Sequence, residues 1–261
     1  MIGFFLKKNF FDGWDNLFLL AGVNIIIVFF AIGIFYAASV MIALPWLFAA
    51  VLFAAVPLLC ILVFAFGKSA VSLANYKSVT FRECFSAIKD VWRDAVLFGI
   101  VCDLLVLFAS VSIPFYIRMN TITGTFLSAL SFWILLIAVL SLQWFIPLHY
   151  LLPNDSFLKT LRKCFVIFFD NTGFSLFIWL YTLLLWALSL AVFFIAPSVC
   201  GVVLAQTNAL RLRMYKYDWM EQHPELSPKE ARAQIPWEEL IAEDRETVGP
   251  RTLKNLIFPW K

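Results

Sequence analysis

The most informative pattern in this chain is a long block without charge near its start. Residues 16–67 include no charged side chain. Because a helix needs about 20 apolar residues to cross a bilayer, this block of 52 positions predicts two transmembrane helices. We place them over residues 17–39 and 44–66, with Pro45 and Trp46 at the membrane–water boundary between them.

Further apolar stretches follow the same rule. Residues 95–117 and 123–148 predict a second pair of helices, and a charge-free block over residues 171–210 predicts a third. Within that block one helix runs to residue 196 and a sixth begins at Pro197, since proline suits the first position of a helix. The apolar part of the sixth helix is short, so a helix that enters the membrane only half-way stays open. The sequence predicts an all-α, polytopic membrane protein with six transmembrane helices arranged as three hairpins.

Composition and charge agree with this architecture. The chain is 62% hydrophobic and 14% charged, whereas soluble domains average about 25% charged residues. Of the 20 Lys and Arg residues, all except Arg118 lie on one side of the predicted helices. The positive-inside rule therefore predicts that both termini are cytoplasmic. These cations cluster at the membrane edges rather than along a stripe, so no nucleic-acid partner is expected.

The sequence has no catalytic or metal-binding motif. Its five cysteines lie in or beside apolar segments without a C-x-x-C pair, and we interpret them as small apolar side chains. The two histidines, His149 and His223, have no partner at metal-ligand spacing. We therefore expect no metal, no cofactor and no enzymatic activity. A lipid-modifying enzyme would instead need a polar cleft around His149 at the cytoplasmic face.

A short pattern recurs three times ahead of the predicted hairpins. An apolar residue, a cation, any residue and Asn or Cys precede a Phe, and an Asp follows five residues later. We interpret each copy as an interfacial amphipathic helix, with its Phe among the lipid headgroups and its Asp capping the next helix. Triplication of one hairpin would explain the pattern, and chance recurrence in a Phe-rich chain is the alternative. The Phe and Asp positions are Phe10 and Asp15, Phe85 and Asp90, and Phe165 and Asp170.

Three segments of the sequence are distinctive together. They are the Phe-Leu-Lys-Lys-Asn-Phe-Phe entry at residues 5–11, the amphipathic segment 81–94 and the Phe-Ile-Pro-Leu sequence at residues 145–148. In this combination the chain resembles the YesL-like family of small bacterial membrane proteins. The resemblance covers the layout of about residues 5–210 and not the tail. Members of that family have no established biochemical activity and often accompany carbohydrate ABC-transporter genes. The resemblance therefore implies an accessory role in the bacterial inner membrane.

Polar residues inside the predicted helices form the candidate functional site. Asp103 is the only formally charged residue deep within a predicted span. An acid at that depth is by default a candidate proton or cation site. The alternative is a structural carboxyl that is hydrogen-bonded by Asn24 or Gln143. Gln206 and Asn208 complete this set of candidate residues.

The predicted sixth helix also carries a stripe of small residues. Gly201, Ala205 and Ala209 follow one another at intervals of four, which places them on one face of a helix. Such a stripe lets two helices approach closely, either within one chain or between the subunits of a dimer. Both uses stay open at this stage.

The composition changes at Asp218, which we take as the start of a cytoplasmic tail (218–261) after the transmembrane domain (1–217). Ser227 and Glu230 predict a capping box around Pro228, and a second helix is expected near Pro236. The chain ends in an apolar segment that predicts docking, either back onto the membrane edge or onto a protein partner. The docking side chains are Leu256, Ile257, Phe258 and Trp260.

These observations predict a non-enzymatic accessory or scaffold subunit of a membrane complex, linked by the resemblance to a carbohydrate transporter. Its expected partners are the lipid bilayer and a protein bound through the tail. The alternative is a small transporter or channel-like carrier that uses Asp103, Asn24 and Gln143. A continuous polar track across the helices would favour the carrier, whereas an interior packed with Phe would favour the scaffold.

Overall fold

A computed structural model describes residues 1–251, apart from the side chains at positions 228, 229 and 233. All regular secondary structure in this part of the chain is helical, which confirms the predicted all-α class. The helices are α1 (Ile2–Asp15), α2 (Leu17–Val40), α3 (Pro45–Ala74), α4 (Phe81–Ser86), α5 (Ile88–Arg118), α6 (Ile122–Leu142), α7 (Phe145–Leu151), α8 (Phe157–Asp170), α9 (Thr172–Ala191), α10 (Ser198–Gln222), α11 (Pro228–Ala233), α12 (Trp237–Leu240) and α13 (Ala242–Val248).

Five helical stretches are long and apolar enough to cross a membrane. They comprise α2, α3, α5, the combined stretch Ile122–Leu151 and α9. These long apolar helices indicate a multi-pass membrane protein. The helix α10 is not among the five candidates, because Gln206, Asn208, Arg211 and Arg213 interrupt its apolar sequence. The structure thus supports five candidate spans rather than the six that were predicted.

Several helix boundaries differ from the predicted ones. The helix α3 continues to Ala74, and α5 begins at Ile88, so both extend beyond their apolar segments. The predicted helix over residues 123–148 is interrupted at Gln143 and Trp144, which separate α6 from α7. The helix α9 ends at Ala191, five residues earlier than predicted. The predicted boundaries follow changes in hydropathy, whereas the observed helices end where capping and packing no longer support them.

The helices α3 and α5 cross in close contact. A Cβ atom added to Gly99 would lie 2.4 Å from the Cα atom of Pro57, so only glycine permits this approach. Phe64, Phe98 and Phe145 pack together next to the crossing, with ring centroids 4.6 to 6.0 Å apart. These three rings therefore form a packed aromatic core beside the crossing.

The helix α10 lies at the centre of one end of the bundle and packs against α1, α2, α3, α7 and α9. We call this end, which holds Lys8, Lys68 and Arg93, the basic end. The opposite end carries the turns at residues 41–44 and 119–121, and we call it the far end. Nearly every residue of α10 from Ser198 to Leu210 is buried, so its apolar residues serve as core.

The far end exposes large apolar side chains. Phe35, Phe53, Phe115 and Phe126 are all more than half exposed. A soluble protein rarely exposes such a surface, whereas a bilayer covers it at no cost. This exposure agrees with a membrane location for the far halves of α2, α3, α5 and α6.

The described part of the tail folds back onto the basic end of the bundle. Ser227 and Glu230 form the predicted capping box at the start of α11, and α12 begins directly after Pro236. Ile241 and Val248 are buried in the main apolar core. The four predicted docking residues, Leu256, Ile257, Phe258 and Trp260, lie outside the described residues.

Candidate functional site

A buried polar cluster links α1 to α10. Lys8 and Asp12 are one turn apart on α1, and the Lys8 ammonium donates to Oδ2 of Asp12 at 2.7 Å. Asn208 of α10 donates to the same oxygen at 2.9 Å and to Oδ1 of Asn9 at 3.2 Å. These four residues, which we call the Asp12 cluster, are all buried.

Aromatic groups complete the surroundings of the Asp12 cluster. The Lys8 ammonium lies 3.8 Å from the centre of the Tyr76 ring, a cation–π contact. The Asn9 amide donates to the Tyr181 hydroxyl at 3.0 Å. Burial lowers the pKa of Lys8 and raises the pKa of Asp12, and the charge of each residue opposes the shift of the other. The charge on each residue is tolerated here because the other is present.

A second cluster joins the end of α8 to α10. Lys216 donates to Oδ2 of Asp170 at 2.5 Å, and the Tyr217 hydroxyl donates to the same oxygen at 2.8 Å. Arg232 of α11 donates to the other oxygen of Asp170. Burial alone would raise the pKa of Asp170, but the hydrogen bonds from Lys216 and Tyr217 hold it below its ordinary value.

The tail helix α13 contacts α10 through a buried carboxylate. Asp244 accepts a hydrogen bond from Arg211 at 2.7 Å and another from the Tyr215 hydroxyl at 3.1 Å. The Tyr76 hydroxyl donates to the backbone carbonyl of Asp244 at 3.4 Å. Because Tyr76 also covers Lys8, this contact places the tail directly over the Asp12 cluster.

A stacked arginine makes a second contact with the tail. The Arg213 guanidinium lies 3.9 Å from the centre of the Phe174 ring and 5.5 Å from the centre of the Trp237 ring, which belongs to α12. Burial lowers the pKa of Arg213 to about 10, so the residue stays charged at neutral pH. Cation–π contacts of this kind favour arginine over lysine because the planar guanidinium stacks on both rings.

Asn24, a candidate polar residue of α2, binds the turn between α9 and α10. Its amide nitrogen donates to the backbone carbonyls of Ile195 and Pro197 at 3.0 and 2.9 Å. Its amide oxygen accepts from the backbone N–H of Cys200 at 3.0 Å. The whole side chain is buried and fully engaged with backbone. In the described part of the chain, Asn24 therefore serves the turn and not Asp103.

Gln143 also binds backbone. Its amide nitrogen donates to the carbonyls of Leu140 and Ser175 at 2.7 and 3.2 Å, which ties the break between α6 and α7 to α9. Gln143 and Gln206 line a cavity of about 460 Å³ whose other walls are apolar residues of α3, α5, α6, α7, α9 and α10. Two amides in an apolar cavity do not make a continuous polar path.

Asp103 stands apart from the other candidates. Its Oδ2 atom is buried and has no hydrogen-bond partner among residues 1–251. The predicted hydrogen bond from Asn24 or Gln143 is wrong, because both amides bind backbone groups elsewhere. Asn208 belongs to the Asp12 cluster and Asn24 to the α9–α10 turn, whereas Gln143 and Gln206 share one cavity. The five candidate residues therefore do not form one site.

The aspartates of the threefold pattern pair with cations. Asp15 accepts from Arg251 at 2.6 Å, and Asp90 lies 3.4 Å from Lys68. None of the three aspartates, Asp15, Asp90 and Asp170, caps the following helix through its side chain, so the predicted capping role is wrong. Cations that are distant in sequence but close in space bind these carboxylates, because a hydrogen bond between two charged groups is stronger than one to a neutral N–H at a helix end. Asp90 still lies in the first turn of α5, where the helix dipole favours a negative charge.

The three Phe positions of the pattern, Phe10, Phe85 and Phe165, are half-buried or exposed at the basic end. The residue before each of them, by contrast, is buried: Asn9, Cys84 and Cys164. All three helices therefore turn the Asn or Cys position inward and leave the Phe near the surface of the bundle.

The small-residue stripe on α10 is buried inside this chain. Ala205 and Ala209 are fully enclosed, and a Cβ atom on Gly201 would lie 2.4 Å from Cβ of Pro197. His149 packs against the rings of Phe64, Phe145 and Tyr150 and lines none of the four cavities described. Among the described residues there is no group of three His, Cys, Asp or Glu side chains that could hold a metal ion.

Comparison with known proteins does not extend this picture: no family model, no curated protein and no solved structure matches the chain.

Sequence reasoning missed the Asp12 cluster and the Asp244 contact. Lys8 and Asp12 have the spacing of a surface ion pair on an amphipathic helix, and nothing near them in the sequence indicates burial. One signal was available. Asn208 and Arg211 are polar residues in the continuation of an apolar helix, where polar groups need partners from other helices.

Proposed function

We propose that this protein is a non-enzymatic accessory or scaffold subunit of a membrane complex. The single observation that carries the proposal is the aromatic core of Phe64, Phe98 and Phe145, which borders a cavity whose walls are apolar apart from Gln143 and Gln206. Asn24 and Gln143 lie apart and use their amides to hold backbone. A carrier needs polar groups along a path, whereas an apolar interior suits a protein that keeps its shape and presents surfaces.

We infer that both termini lie in the cytoplasm of a bacterial cell, in its inner membrane. The support is the one-sided distribution of Lys and Arg, of which only Arg118 lies at the far end among residues 1–251. An even number of crossings is needed for both termini to share one side. Six crossings in three hairpins result if α9 and α10 both span the membrane, and four result if neither does.

The tail is the proposed contact for a protein partner. The helices α12 and α13 are anchored on the basic end of the bundle through Trp237 and Asp244. The resemblance to the YesL-like family supports an accessory role beside a carbohydrate transporter. No metal, cofactor or nucleic acid enters this proposal.

Purification in mild detergent tests the accessory role. We expect the full chain to retain one protein partner in a fixed ratio, and a variant that lacks residues 256–261 to lose it. Asp103→Asn is the control, because that substitution changes a membrane residue far from the tail and leaves the partner bound. A full-length protein that carries no partner in a fixed ratio contradicts the proposal.

One observation favours a second candidate, a small transporter or channel-like carrier. The partnerless Oδ2 atom of Asp103 is what a carboxyl that exchanges a proton or cation would show. Purified protein in liposomes tests this candidate. A proton or cation flux that the wild type supports and Asp103→Asn abolishes would replace the scaffold proposal with the carrier, whereas the absence of such a flux eliminates the carrier.

A further inference from the structure

The turn between α9 and α10 lies beside the first third of α2. Three hydrogen bonds with the Asn24 side chain fix the turn there. The amide nitrogen donates to the carbonyls of Ile195 and Pro197, and the amide oxygen accepts from the N–H of Cys200. From Asn24 the helix α2 continues for 16 residues to Val40, about 24 Å at 1.5 Å per residue. The turn therefore stops well short of the far end.

The two arms of the hairpin explain why it stops there. The first half of α9 runs beside α1 rather than α2, since the Phe5 ring packs on Phe174 and Phe177 and Asn9 bonds to Tyr181. At most residues 182–191 of α9 extend beyond α1, and Leu184 and Leu188 of this stretch line one cavity with Leu20 of α2. The helix α10 is already beside α1 at Asn208, so its corresponding stretch is residues 198–207. Ten residues in each arm reach about 15 Å, half of a hydrocarbon core of about 30 Å.

A second helix agrees with a turn that stops short of the far end. Val199, in the first turn of α10, lines the same cavity as residues of α5 from Phe98 to Ala109. Beyond Ala109 the helix α5 continues for nine residues to Arg118, about 14 Å. The cavity beside the start of α10 therefore also ends before the far end.

We propose that α9 and α10 form a re-entrant hairpin, which enters the bilayer from the basic end and returns to that end. The turn at residues 192–197 lies inside the bilayer, and Asn24 holds it there. The complete crossings are then α2, α3, α5 and the stretch Ile122–Leu151, four in number. The helix α9 is long and apolar enough to cross a bilayer, but half of its length lies beside α1. This inference holds for either orientation in the membrane and is independent of the scaffold role.

The chemistry of the turn fits a position inside lipid. Residues 192–197 have no polar side chain, and Phe193 is largely exposed. Irregular backbone at membrane depth is tolerated only where protein groups satisfy its N–H and C=O groups. Asn24 satisfies three of them, and the Ser189 hydroxyl accepts a further bond from the N–H of Ser198 at 2.7 Å. In a turn at the membrane surface, water would supply these bonds.

Single cysteine reporters in the full-length protein test the hairpin. The five native cysteines, all buried or half-buried, are first measured for background labelling. Phe194→Cys then reports the turn, and Asn120→Cys, at the α5–α6 turn, is the matched far-end reporter. We expect a membrane-impermeant maleimide to label position 120 from one side only and to label position 194 from neither side. A nitroxide at position 194 should be reached by oxygen and not by a water-soluble nickel complex.

The outcomes separate the two proposals. Labelling of position 194 from the same side as position 120, or a nitroxide depth at the far headgroups, overturns the re-entrant hairpin. Labelling of position 120 from the cytoplasmic side would instead overturn the proposed orientation and leave the hairpin intact.

The anchor itself provides a second test. Asn24→Ala removes three hydrogen bonds and should lower the melting temperature in detergent, while Gln206→Ala, which loses no described hydrogen bond, should leave it nearly unchanged. If Asn24→Ala keeps the wild-type melting temperature and its turn stays unlabelled, Asn24 is not the anchor.

Discussion

The far halves of α2, α3, α5 and α6 differ from the basic end around α10 in the way they are held together. At the far end the helices meet through apolar side chains, and much of that surface faces outward. At the basic end, buried charges and amides connect helices that are distant in sequence. The contrast shows that the surroundings of each region match its contacts. Lipid covers the apolar outer surface of the far helices, whereas buried polar groups bind one another inside the basic end.

The Asp12 cluster gives the largest expected effect on this comparison. Lys8→Met leaves a buried carboxylate without its cation, which should lower the free energy of unfolding by about 3–5 kcal/mol. Denaturation of the purified protein in detergent measures this loss. The control is Lys68→Met, whose exposed pair with Asp90 should contribute about 0–1 kcal/mol.

A double variant sharpens this prediction. Lys8→Met combined with Asp12→Leu removes both charges, so most of the lost stability should return. If the double variant is as unstable as Lys8→Met alone, the unpaired Asp12 charge is not the cause, and the two ends would differ less than proposed.

The next effect concerns the tail. Asp244→Ala removes the acceptor for Arg211 and Tyr215, which should cost about 1.5–3 kcal/mol of the docking free energy, since hydrogen bonds to charged groups lie in that range. Hydrogen exchange in α12 and α13 should rise while exchange in α5 stays unchanged. Glu243→Ala, an exposed neighbour on the same helix, is the matched control. Equal exchange in both variants would show that Asp244 does not anchor the tail.

The packing of the apolar helices is tested at the crossing of α3 and α5, near the middle of the bundle. Gly99→Ala places a methyl group against the backbone of Pro57, which cannot move aside as a side chain could. We expect a loss of about 1–3 kcal/mol in stability. Gly33→Ala, in an open position of α2, should be neutral or slightly stabilising because alanine favours helix. If both variants behave alike, close packing does not hold the apolar helices together.

The smallest effect is a dependence on acid. The pKa of Asp170 is lower in the folded protein than in the unfolded chain, so the folded state binds that proton less tightly. Its stabilising contribution is therefore present above the ordinary aspartate pKa and is lost as the pH falls through the lowered folded value. Unfolding midpoints measured from pH 6 downward should fall less steeply in Asp170→Asn than in the wild type. Parallel curves for the two proteins would contradict this assignment.

The long apolar helices could be predicted from the sequence, because a charge-free stretch such as residues 16–67 is itself the property that places it in lipid. The partners of polar residues could not. Lys8 and Asp12 have an ordinary surface spacing, and they are buried only because α10, about 200 residues later, covers them. The predicted partner of Asn24 is wrong for the same reason, since its hydrogen bonds depend on where the α9–α10 turn lies in the fold.

The position of α10 near the end of the chain has a consequence for biosynthesis. Asp12 and Asn24 are made 196 and 176 residues before the groups they bind. At synthesis rates of about 5–20 residues per second, that interval lasts about 10–40 s. During this time the nascent chain holds an incomplete polar interior at the membrane, which other proteins or water must solvate until α10 has been made. Assembly of the basic end is therefore a late, post-insertion event.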